Sequence, residues 1–148
     1  MVSKYTAQEA SANVLTTALN SLADGANKTT STAISNDDAA ERDLFGTFRL
    51  SLATQSTRDA GAYVAMYFLP EEDGAFAYGG DSLDPAPEHL VHTFNFDEAT
   101  TARDQVSGLI NFPSGDFHVL LINETGQAFA ASGNTLTYQR LDGGYADV

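Results

Sequence analysis

Phe117-His118-Val119-Leu120-Leu121-Ile122 is the run whose reading decides the fold. It is bounded by Asn111-Phe112-Pro113-Ser114-Gly115-Asp116 on one side and Asn123-Glu124-Thr125-Gly126 on the other. Both flanks are turn signals, because Gly and Asn tolerate positive φ. Working outward, Val91 to Phe96 reads as a strand, and Val106, Gly108, Ile110 and Phe112 alternate along another. Gln127 to Ala131 and Thr135 to Tyr138 follow as two more, separated by Ser132-Gly133-Asn134.

The same period of two holds upstream. Phe48, Leu50 and Leu52 lie on one side of a strand that starts near Leu44, with Thr47, Arg49 and Ser51 on the other. Ala62-Tyr63-Val64-Ala65-Met66-Tyr67-Phe68-Leu69 is apolar on both faces, as a central strand should be, and is expected to end at Pro70. About seven or eight short strands at intervals of roughly 8–12 residues predict an all-β chain, an antiparallel β-sandwich or jelly roll. No βαβ rhythm and no internal repeat competes with that.

Two regions are less regular. Glu71-Glu72-Asp73-Gly74, Gly79-Gly80-Asp81 and Pro85-Ala86-Pro87 mark a long surface loop. The first third is rich in Ala, Ser, Thr and Asn. Val14, Leu15, Ala18, Leu19 and Leu22 recur at helical spacing there, although the run around Leu15 to Leu19 also reads as a strand. An N-terminal arm or short helix over 1–27 is expected, then a first strand from Lys28 to Ile34. The whole chain, 1–148, is expected to be one β-sandwich domain, the usual size for one core.

Composition narrows the function. The 20 acidic and 7 basic residues give a net charge of −13, the wrong sign for wrapping nucleic acid or lying on an anionic membrane. There is no cysteine, which excludes disulfides, a thiol nucleophile and cysteine-ligated metals. No stretch approaches the ~20 apolar residues of a helical membrane span, and Met1-Val2-Ser3-Lys4-Tyr5 opens no signal-peptide core.

Several constellations bear on chemistry. His89, His92 and His118 form the most metal-like grouping, but residues three apart on a strand face opposite ways, so rim histidines are the simpler reading. Glu71, Glu72, Asp73, Asp81 and Asp84 surround the Gly-rich loop without any calcium-loop spacing, which reads as a solvated acidic loop. Tyr63, Tyr67, Phe68, Phe76 and Tyr78 could make a platform for sugars or bases, but their spacing of two within apolar strands favours core packing. Asn27-Lys28-Thr29 and Asn123-Glu124-Thr125 match the glycosylation sequon and are assigned no role. No nucleophile elbow and no phosphate-binding glycine loop is present, and pairing carboxylates among so many acids singles out none. No catalytic, cofactor-binding or metal-binding residue is therefore assigned.

Three runs carry a resemblance: Leu15 to Gly25, Gly61 to Pro70, and above all Pro113 to Leu136. Through them the chain resembles a family of small tailed-phage virion proteins, similar to the decoration or cement proteins that brace the outside of the head. The resemblance implies a non-enzymatic protein on the capsid exterior, made in the bacterial host cytoplasm. It implies no cofactor and no catalytic site. Its partners would be the major capsid protein and further copies of itself, as a dimer or trimer, with an N-terminal arm from Met1 to Ser11 reaching a neighbour. The docking face is not indicated. From another class, a carbohydrate- or receptor-binding β-sandwich would use the loop from Pro70 to His89, with Phe76 and Tyr78 exposed. A cupin- or glycosidase-like enzyme would need bound metal or paired carboxylates.

Overall fold

A computed structural model describes residues 9–36, 43–98 and 100–141. Among them are ten strands, β1 (Ala12–Leu15), β2 (Asn27–Thr29), β3 (Phe45–Leu52), β4 (Tyr63–Glu72), β5 (Ala75–Phe76), β6 (Leu90–Asn95), β7 (Arg103–Val106), β8 (Ile110–Asn111), β9 (Phe117–Glu124) and β10 (Thr135–Leu141). The first sheet runs β1-β10-β3-β7, with β8 also on β3. The second runs β2-β9-β4, with β6 and the short β5 on β4.

All these pairings are antiparallel, and the chain alternates between the sheets except where β4, β5 and β6 stay in the second and β7 and β8 in the first. With β7 and β8 taken as one interrupted strand and β5 as an appendage, this is the eight-stranded jelly roll. The expected fold class is thus the one observed.

Burial alternates as period two requires. Phe48, Leu50 and Leu52 of β3, Val64, Met66 and Phe68 of β4, and Phe117, Val119 and Leu121 of β9 point into one shared core. At its middle Phe68 lies 4.6 Å from Phe117 and 5.6 Å from Phe48, ring centre to ring centre, with Phe112 against all three. Tilted and edge-on contacts of this kind add to simple area burial.

The structure corrects several boundaries. From Glu9 the chain belongs to the sandwich: its N–H donates to Arg140 O, and β1 pairs with β10. Of the expected arm or helix over 1–27, the described part from residue 9 holds a strand followed by a single 3₁₀ turn, Thr17–Leu19. Its helical spacing is met because Leu15, at the end of β1, and Leu19, in the 3₁₀ turn, both enter the core. Of the proposed arm, residues 1–8 lie outside the described residues.

β4 continues through Pro70 to Glu72, since it has already run past β6 and needs no N–H at that position toward that side. The expected loop then turns at Asp73-Gly74, both at positive φ (52° and 80°), into the β4–β5 hairpin. Gln127–Ala131, expected as a strand, is irregular. Its carbonyls serve side chains instead: Gln127 O accepts from Asn123, and Ala130 O from Asn134.

Candidate functional site

The two outer faces of the sandwich differ in chemistry. The first sheet shows solvent a polar face, with Thr47, Arg49 and Thr137 among its residues, crossed by an Arg49–Asp104 ion pair. The second sheet shows a face whose residues fall into three cross-strand rows set by register.

Asn95, Tyr63 and Glu124 form the first row, with Tyr63 between the other two. Thr93, Ala65 and Ile122 form the second, and Leu90, Tyr67 and Leu120 the third. Tyr63 and Tyr67 are four residues apart on one face of β4, about 13 Å along the strand. Between them the small Ala65 leaves a floor, so the tyrosines make two walls of an open groove of about 330 Å³.

The loop after β5 closes one end. Asn27 donates to Asp84 Oδ1 at 3.0 Å and to Gly80 O at 3.3 Å, Thr29 N donates to Asp81 Oδ1 at 2.7 Å, and Lys28 ion-pairs with Asp81. Gly79 allows the loop to lie down, because a Cβ there would stand 3.0 Å from Leu69. Leu69 and Leu120 are in this way buried on the outer face, apart from the core between the sheets.

Electrostatics mark the groove as acidic. Burial first, then Tyr63, Glu124 and Asp84, hold the Tyr67 hydroxyl protonated beyond the usual tyrosine range. Glu124 has no hydrogen bond or ion pair from its side chain among the described residues. No Lys or Arg lines the groove.

The aromatic residues divide. Phe68 packs in the core as expected, but Tyr63 is 38% exposed, Phe76 39% and Tyr78 65%. The core reading fails for these, and for half-buried Tyr67, because β4 is apolar on its outer face for another reason: the docked loop covers Leu69. Phe76 lies edge-on to His118 at 4.3 Å, outside the groove.

The histidines do not converge. His92 stands edge-on to Phe94 at 4.6 Å on the core side of β6, and burial lowers its pKa. His118 lies on the opposite face of the sheet, its Nδ1 2.9 Å from Thr30 Oγ1. His89 closes the 3₁₀ turn before β6. Nor do the loop acids gather: Glu71 and Glu72 sit in the hairpin, Asp73 in its turn, and Asp81 and Asp84 accept hydrogen bonds from β2 residues Thr29 and Asn27. Among the described residues no group of three or more His, Asp or Glu could hold a metal ion.

The second sequon is structural. Asn123 and Thr125 are wholly buried, and Asn123 donates to Leu22 O and Gln127 O while accepting from Thr125. Gln55 joins this network through Thr125, and Arg58 through Gln55.

No protein-family model matches the chain, and no curated protein matches it. Among solved structures it is similar to the crystal structure of the CBM36-1 domain of a multidomain xylanase from the hindgut metagenome of Trinervitermes trinervoides, with a TM-score of 0.44 and 16% identity. That likeness covers 84% of this chain and 76% of the other.

Proposed function

We propose that the chain is a non-catalytic binding module that takes a carbohydrate in the groove on the outer face of the second sheet. The observation that carries this is the row Asn95–Tyr63–Glu124 facing Tyr67 across Ala65. A sugar ring has apolar C–H faces and a rim of hydroxyls. The tyrosine walls suit the former, and an amide and a carboxylate beside one wall suit the latter. The site is the sheet face next to the Pro70–His89 loop, which the loop borders through Asp84.

The phage resemblance supplies a setting for this module, the outside of a virion, where a groove that binds surface glycans would serve attachment. A glycan array with the full chain, followed by chemical-shift mapping of the best ligand, tests the proposal. Shifts centred on Tyr63, Tyr67 and Ile122 are expected. Shifts centred on Tyr78 or on the first sheet would move the site elsewhere.

A second reading, head decoration, is favoured by a different observation. Leu44, Phe45, Val106 and Leu109 are all left exposed where β3 begins and β7 gives way to β8. An apolar strip at a sheet edge suits docking on a major capsid protein, with copies in dimers or trimers gaining avidity on a repeating shell. Cosedimentation with heads lacking the protein tests it: saturable binding lost in Val106→Asp supports this reading, and no binding removes it.

A further inference from the structure

We infer that the groove selects an amine-bearing sugar, of the glucosamine type, with Glu124 as the residue that fixes the ammonium group. This rests on the carbohydrate reading of the same groove and goes beyond it to the class of sugar.

The groove carries a charge without a counter-charge. Glu124 stands directly across from Tyr63, half-buried, with no partner for its carboxylate among the described residues. The described basic side chains are committed elsewhere: Lys28 to Asp81, Arg49 to Asp104, Arg103 to Asp97 and Arg140 to Asp43, while Arg58 is bound to Gln55. None of them lines the groove.

A ligand that covers Glu124 must compensate it. A neutral sugar offers only hydroxyl donors to a carboxylate losing its water, whereas an ammonium brings the opposite charge and a charge-assisted hydrogen bond. The face of Tyr63 beside that carboxylate adds attraction for a cation. Asp84, close enough to Tyr67 to act on its hydroxyl, makes the other end of the groove negative as well, so uronic and sialic acids are disfavoured.

The test is calorimetric titration of the full chain with four probes: a glucosamine tetramer, its N-acetylated counterpart, a galacturonate tetramer and tetralysine. The glucosamine tetramer is expected to bind at least about tenfold more tightly than the N-acetylated one at low salt, and the galacturonate not at all. Glu124→Gln, checked for an unchanged melting temperature, is expected to erase that preference and leave weak binding of both neutral and amine sugars. Equal affinity for the amine and N-acetyl tetramers, or a preference that survives E124Q, would overturn the inference while leaving the carbohydrate reading standing. Tetralysine binding as tightly as the amine sugar would overturn it too, by showing selection for charge alone. Failure of every sugar to bind would take down both.

Discussion

Asn36 and Asp43 are bonded to each other twice. Asp43 N–H donates to Asn36 Oδ1 at 3.0 Å, and Asn36 Nδ2 donates to Asp43 O at 3.1 Å. Both residues are buried, and Arg140 ion-pairs with the Asp43 carboxylate at 2.9 Å. This pair of hydrogen bonds holds Asn36 beside Asp43, and so fixes where β3 enters the first sheet.

Asn36→Ala is expected to destabilise the fold by about 3 kcal/mol, because it strands a buried N–H and a buried carbonyl at once. Urea unfolding reads this as a lowered midpoint with an unchanged slope. A loss under about 0.5 kcal/mol would show that these bonds are replaced by water.

Gly46 owes its identity to space. A Cβ there would overlap the Phe112 ring, in the middle of the aromatic core. Gly46→Ala should cost about 1–3 kcal/mol. Combined with Phe112→Leu, it should cost clearly less than the two single losses added together, since the closest part of the clash is with that ring, the Gln139 carbonyl being the other. Strict additivity in thermal melts would mean that the clash is relieved by other means.

His92 gives the protein a stability that depends on pH. Burial against Phe94 lowers its pKa, so in the acid range the unfolded chain binds the proton that the folded one resists. Its contribution is complete above the unfolded value of about 6.5 and fades as the pH falls through the folded value. Asp81 behaves similarly at lower pH: burial would raise it, but its bonds from Lys28 and Thr29 bring it below the usual range. Urea midpoints at pH 7.5 and 5.5 separate the two. The wild type should lose stability between them, and His92→Gln should lose less; identical losses would refute the assignment.

Asn123 should tolerate no small replacement. Asn123→Ala removes the donor to Leu22 O and Gln127 O and the acceptor for Thr125, all in a buried network, for about 3 kcal/mol or more. Hydrogen exchange would place the damage in the 20s and 120s. Uniform weakening across both sheets would contradict a local role.

Much of the fold was legible because period two is a local signal. β3, β6 and β9 stand close to where the sequence puts them, since each has one face turned to the core. The β4–β5 hairpin was also written there, in Asp73-Gly74, but Gly79-Gly80 and two prolines nearby made the whole segment look like loop. Gln127–Ala131 misled in the other direction: its apolar alternation is satisfied by buried Phe129, while its carbonyls accept from side chains, Gln55 far away in sequence and Asn123 close by.

The groove was not legible for a related reason. Tyr63 and Tyr67 look like core residues as long as β4 is assumed buried on both faces. What leaves them exposed is the partial cover of that face, where the loop held by Asn27 and Lys28 buries Leu69 and stops short of Ala65. Glu124 likewise gains meaning only from the register that sets it beside Tyr63.

Those two tyrosines are the walls of the proposed site, and the most direct measurement is binding of the best array glycan to the wild type and to Tyr63→Ala. Loss of a ring that stacks on a sugar should weaken binding at least tenfold, with the melting temperature within a few degrees of wild type, as expected for a side chain outside the core. Unchanged affinity in a folded Tyr63→Ala protein would contradict the groove as the binding site.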